Sequence, residues 1–150
     1  MITIKNTQRA IKIPINQVKN TVVQVLKKLG YQDFDIGIWF TTDRTIKKYN
    51  KQYRKIDKPT DILSFAYHTN IKPDQKIKAA TPDDKNLGDL IISAEYIARA
   101  ARSFGTPFTE HLDMIIVHGI CHLIGHDHEN TRDYHTMARV EKTLLQELKN

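Results

Sequence analysis

Histidines at 118, 122 and 128 around a glycine at 125, within "VHGICHLIGHDHEN" (Val117 to Asn130), constrain this chain more than any other feature of it. Four of its seven histidines fall in the eleven positions from 118 to 128. Leu112, Ile115, Ile116 and Leu123 recur at helical spacing, so the segment through His122 reads as a helix. Residues i and i+4 differ by about 40° around a helix axis, so His118 and His122 project to one side, one turn apart. A third ligand does not come comfortably from the same straight helix. Gly125 removes that limit, because glycine at a helix C-terminus takes a left-handed turn at little steric cost. The chain then swings back and His128 closes a third side. Three neutral imidazoles leave a fourth position for water, the arrangement of a catalytic rather than a structural zinc.

The pattern H-x-x-x-H-x-x-G-x-x-H is the ligand skeleton of the metzincin peptidases, with one departure. Those enzymes carry a glutamate general base directly after the first histidine, and here that residue is Gly119. Proteolysis is therefore not expected, while the metal site stays intact. His126 lies between the ligands and reads as a rim group or a support behind them. His111 and His135 read as surface residues, and His68 heads a polar loop. Cys121, on the same helix, reads as a buried thiol rather than a ligand. Asp127 and Glu129 flank the third histidine; either can orient an imidazole through its second nitrogen, though charged loop residues usually just face water.

A chain of 150 residues is one domain's worth, residues 1–150. It buries roughly two-thirds of its unfolded surface and needs no metal merely to fold. The longest apolar run, Met114 to Val117, is too short to span a bilayer. "MITIKNTQRAIKI" alternates apolar and polar residues without a signal core, so a cytoplasmic location is expected. One cysteine excludes an internal disulfide framework and suits a reducing compartment. The balance of 23 Lys+Arg against 17 Asp+Glu, a net +6, fits a polyanionic partner such as RNA.

"ITIKNTQ" reads as a strand, and "INQVKNTVVQVLKKLG" as a helix with Val18, Val22, Val25, Leu26 and Leu29 on one face. A second strand runs from about Phe34 to Phe40. Thr41, Thr42 or Asp43 caps a short basic helix bearing Ile46, Tyr49 and Tyr53. A strand over Asp61 to Tyr67 precedes a polar loop from His68 to Asn86, of a length usually functional or disordered. "LGDLIIS" is a fourth strand and "AEYIARAARSFG" a helix. The histidine helix begins near Pro107, and a last helix runs from Thr131 to about Leu148. The expected fold is α/β (α+β), a mixed four-stranded sheet packed by about five helices, with the zinc site at a helix C-terminus.

"HGICHLIGHDH" resembles the signature of the bacterial YbeY endoribonucleases, the rRNA maturation factors. "NKQYRKIDKPTDILSF" (Asn50 to Phe65) is similar to that family's asparagine–arginine–PTD–LSF segment, and "LGDLIIS" to its LGD strand. Met137 and Glu141 fall where the family's closing helix has them. The matching segments span about the last two-thirds of the chain, in family order. Cys121 stands where leucine is common, His126 where tyrosine is, and Ala66 where proline often follows. The resemblance implies zinc held by His118, His122 and His128, with a functional arginine at Arg54. It further implies metal-dependent cleavage of single-stranded RNA in ribosome maturation and quality control, notably at the 3′ end of small-subunit rRNA. Arg54 suits a phosphate clamp, because its planar fork donates two hydrogen bonds where lysine offers a point charge. Arg44, Lys47, Lys48, Lys51, Lys55 and Lys58 offer a backbone track, and Trp39, Tyr49 and Tyr53 either stack bases or pack in the core. Two other readings stand beside this one: a ribosome-assembly factor with a mainly structural metal, and a metallohydrolase of another substrate. The residues leave the general base open, between water activated at the metal and the RNA 2′-hydroxyl helped by the metal or by His126.

Overall fold

The computed structural model describes residues 1–149. In chain order it contains β1 (Ile2–Asn6), α1 (Ile15–Leu29), β2 (Asp35–Thr41), α2 (Asp43–Arg54) and β3 (Ile62–Ala66), then β4 (Asn86–Ser93), α3 (Ala94–Phe104), α4 (Phe108–Leu123) and α5 (Thr131–Lys149). The strands form one sheet in the order β1-β2-β4-β3. β1, β2 and β4 are parallel, and β3 runs antiparallel to β4 along the edge. The mixed α/β architecture expected from the sequence is the one observed.

Alternation within the strands sorts their side chains onto two faces. Ile36, Ile38, Phe40, Leu90, Ile92 and Ile62 enter the main core with α1 and α4, while α5 packs across α1 and α4 from outside. Leu63 and Ile91 point the other way, where α2 covers them with Ile46. The N-cap of α2 is Thr42, whose side chain accepts from the Thr45 N–H.

α4 is the most enclosed helix, pressed between the sheet, α1, α3 and α5. Gly119 permits the closest approach. A Cβ there would lie 2.5 Å from Ile62 Cδ1 and 2.9 Å from Leu90 Cδ2. Ser64 Oγ donates to the Gly119 carbonyl across the same gap at 3.4 Å. The position that holds glutamate in the peptidases thus faces the sheet here, with no room for a side chain. Gly119→Ala is expected to cost about 1–3 kcal/mol through overpacking, read as a lower urea midpoint. An unchanged midpoint would mean that α4 does not bear on β3 as described.

Two expectations need correction. His111 is not a surface residue: it is 6% exposed, and its ring stacks on Phe104 at 5.8 Å, because the end of α3 leans over the first turns of α4. The polar loop is also more tightly held than its composition suggests. Tyr67 Oη donates to Asp84 Oδ1 at 3.2 Å, and the Ile77 N–H donates to Tyr31 Oη at 3.0 Å beneath a 4% exposed Ile77 side chain. His68 serves this loop, its Nε2 lying 2.7 Å from the Asp84 carbonyl.

Candidate metal centre

The end of α4 builds the site. Ile124 caps the helix and Gly125 follows with φ +103°. The Gly125 N–H donates to the His122 carbonyl (3.2 Å) and the His126 N–H to the Cys121 carbonyl (3.0 Å). That pair of bonds is the Schellman closure of a helix, and it turns the chain back along α4. The reversed strand then presents the His126 carbonyl to His122 Nδ1 at 2.9 Å.

His118, His122 and His128 converge, their ligand atoms all within 4.8 Å of one another. Ring centroids lie 4.6 Å apart for His118–His122, 5.0 Å for His122–His128 and 5.8 Å for His118–His128. The first two rings are partly buried and His128 is exposed; among the described residues the group stops at these three.

The outer nitrogens decide what the inner ones can do. His118 Nδ1 lies 3.1 Å from Glu141 Oε2, and His122 Nδ1 meets a carbonyl. Both partners are pure acceptors, so each neutral ring carries its proton on Nδ1 and leaves Nε2 bare. The two Nε2 atoms nevertheless face each other at 3.1 Å. Bare lone pairs at that distance repel unless a cation stands between them. Two nitrogens each ~2.0–2.1 Å from one tetrahedral ion are about 3.3 Å apart, close to the spacing found. The residues present therefore fit a divalent metal ion.

Burial, with His118 nearby as a lesser cause, pushes the His122 pKa below its ordinary value, and burial does the same to His126. Both rings resist protonation in the fold more than in the unfolded chain, which takes up protons near pH 6.5. The unfolded state then binds more protons, so chelated protein loses stability as pH falls through and below that value. Its urea midpoint is expected to be lower at pH 5.5 than at pH 8. Equal midpoints would contradict the lowered pKa values of the two buried rings.

Other candidates fall elsewhere. The His126 side chain is 6% exposed, at the floor of a cleft of about 1030 Å³ with Tyr31 and Ile71; its carbonyl, not its ring, supports a ligand. Asp127 Oδ1 accepts from the Glu129 N–H at 2.7 Å, so it shapes the loop backbone, and Glu129 is exposed. The Cys121 thiol is fully buried, its pKa pushed up to about 12 by burial and, secondarily, by Glu141. His135 is exposed. Arg54 is the exposed last residue of α2, the helix that covers the sheet face opposite α4. Both elements bear on edge strand β3, α2 through Tyr53 against Phe65 and α4 through Gly119 against Ile62. Lys47 and Lys51 lie 4.0 and 3.9 Å from Asp57, whereas Arg54 has no acidic partner among the described residues. Trp39 and Tyr49 pack on the second core cluster, and Tyr53 is 57% exposed.

Sequence reasoning attached no role to Glu141. The signal was present: it interrupts the inward stripe of Met137, Val140, Leu144 and Leu148 on α5, a lone carboxylate among apolar residues.

A mixed α/β sheet thus carries three histidines whose ligand atoms lie close enough together to hold one metal ion. Comparison with known proteins narrows the class. The profile of the family described as endoribonuclease YbeY matches residues 3–149. The human protein named endoribonuclease YbeY is 34% identical over 147 residues, covering 98% of this chain and 87% of that one. The protein of the same name from Treponema denticola is 37% identical over 134 residues, covering 89% and 83%. The solution structure of TM1509 from Thermotoga maritima superposes with a TM-score of 0.65 at 26% identity, over 98% of this chain and 88% of that one. The chain belongs to the YbeY endoribonuclease family.

Proposed function

We propose that this chain is a zinc-dependent endoribonuclease that cuts single-stranded RNA in rRNA maturation, at the 3′ end of the small-subunit transcript. On this proposal it works in the cytoplasm on the small ribosomal subunit. The observation that carries the proposal is the facing pair of imidazole nitrogens, 3.1 Å apart, with both Nδ1 protons committed to acceptors. A set of three imidazoles suits zinc, and a group that stops at three among the described residues favours catalysis over a closed structural site. The name endoribonuclease, carried by the human and Treponema denticola relatives, supports RNA as substrate, and the net charge of +6 supports a polyanion. Among the described residues no helix is long and apolar enough to cross a membrane.

When bound, an ion of this kind lowers the pKa of its water toward ~7 and polarises a phosphoryl oxygen. The chain's residues do the rest. His118 and His122 are held as Nδ1–H tautomers and so aim Nε2 inward without rearrangement. Arg54 clamps a phosphate of the RNA: its guanidinium is exposed and free of acidic partners among the described residues, and an RNA strand crossing the β3 edge passes between the two sheet faces. Gly119 offers no proton acceptor, consistent with RNA rather than peptide hydrolysis.

The direct test incubates the purified protein with a single-stranded RNA spanning the small-subunit 3′ end. Cleavage is expected to vanish with chelator, return with zinc, and spare the same sequence in duplex form. Cleavage that persists in chelator would overturn the proposal. For the clamp, Arg54→Lys is expected to keep zinc stoichiometry and melting temperature while kcat falls about a hundredfold, because the charge survives and the fork does not. Near-full turnover would retire that role.

A further inference from the structure

We infer that Glu141 is a positioning residue for the metal centre: from α5, its carboxylate fixes the His118 ring and makes His118 Nε2 the strongest of the three donors. The inference rests on the three-histidine reading and adds to it a part drawn from a different helix.

Three observations carry it. Glu141 Oε2 lies 3.1 Å from His118 Nδ1, with the two side chains only 20% and 30% exposed. Its helix neighbours on the same face, Met137 and Leu144, are 1% and 3% exposed, so the carboxylate sits where α5 otherwise buries apolar groups. And the three rings are supported unequally: His118 by a carboxylate, His122 by the His126 carbonyl, and the exposed His128 by no ring hydrogen bond among the described residues.

A carboxylate in such a place loses hydration, and a neutral imidazole compensates poorly for that loss. A cation behind the ring changes the balance. The negative charge beside Nδ1–H raises the basicity of Nε2, and partners of this kind set metal affinity by about 10–100-fold. A carbonyl polarises its ring in the same sense but carries no net charge. Glu141 thus serves loaded protein at the expense of the metal-free fold. That division separates positioning from a merely structural tie between α4 and α5.

The test uses Glu141→Gln, which keeps an acceptor and removes the charge, and Glu141→Leu, which removes both and suits the apolar stripe. Zinc affinity is measured by competition with a chromophoric chelator, and the melting temperature on metal-free protein. We expect affinity to fall about tenfold in the first variant and about a hundredfold in the second. The metal-free melting temperature should hold or rise in Glu141→Leu. Imidazole nitrogen chemical shifts of metal-free protein at pH 8 should report His118 as the Nδ1–H tautomer in wild type and a mixture in Glu141→Leu. Glu147→Gln, an exposed carboxylate beside Lys28, should bind zinc as wild type does. Wild-type affinity in both Glu141 variants, with a lowered melting temperature, would overturn the inference and leave the metal centre standing. Failure of the wild-type protein itself to take up zinc would sink the centre, and this role with it. Should Glu141→Leu not fold, the isosteric Glu141→Gln decides alone.

Discussion

Replacing His122 with alanine is expected to abolish stoichiometric zinc uptake and to slow RNA cleavage about a thousandfold or more, some 4 kcal/mol of barrier. His122 is the middle ring of the proposed ligand set. Its Nε2 faces His118 at 3.1 Å, its ring centroid lies 5.0 Å from that of His128, and its Nδ1 holds the returning chain through the His126 carbonyl. Removing it takes one of the three proposed ligands and also the bond that seats the loop carrying another. Two remaining imidazoles, one of them exposed, do not hold an ion against a chelator. The fold should survive, because the main core, centred on residues such as Phe40, Leu90 and Ile116, does not include this ring. A stability loss of about 1–2 kcal/mol is expected, from a lost hydrogen bond and a half-buried ring. Circular dichroism and metal analysis on one preparation check both halves. Retained zinc at one per chain would contradict the ligand assignment.

Gly125→Ala is expected to disrupt the fold and the histidine loop together. The residue has φ +103°, a conformation that L side chains rarely adopt. A Cβ there would also lie 2.3 Å from the Ile71 carbonyl oxygen, which is backbone and has no rotamer to change. Strain of this kind costs about 1–3 kcal/mol before the clash is counted. For a chain of this size a 3 kcal/mol loss lowers the melting temperature by roughly 6–12 °C. The chemistry suffers with it. Relief requires the loop of residues 124–130 to move away from the polar loop, and that movement withdraws the His126 carbonyl and displaces His128. Zinc affinity should therefore fall together with the melting temperature. A variant that melts early yet binds zinc as tightly as wild type would show that the turn and the site are independent.

What was legible in the sequence was local. The apolar spacing of Val18, Val22, Val25 and Leu26 announced α1, and the histidine spacing with Gly125 announced a converging turn, because both depend on helix geometry alone. What escaped was set by partners distant in sequence. The burial of His111 depends on Phe104 at the end of another helix. Asp127 and Glu129 adjoin His128 and read either as imidazole supports or as solvent-facing charges, whereas the contacts to the ring nitrogens come from the His126 backbone and from Glu141, on the next helix. The crowding at Gly119 requires β3 and β4, whose antiparallel pairing across a long loop leaves no periodic trace. Arg54 illustrates the same limit: its segment resembled a family pattern, but its exposure at the end of α2 came only from the fold.

The central claim is that three imidazoles gather one divalent ion and leave it a corner for water. A crystal of zinc-loaded protein, with an anomalous map at the zinc edge, addresses it most directly. One peak per chain is predicted, ~2.0–2.1 Å from nitrogens of His118, His122 and His128, with a water or hydroxide completing the tetrahedron. Rings turned away from one another, or a fourth protein side chain on the ion, would contradict the hydrolytic account.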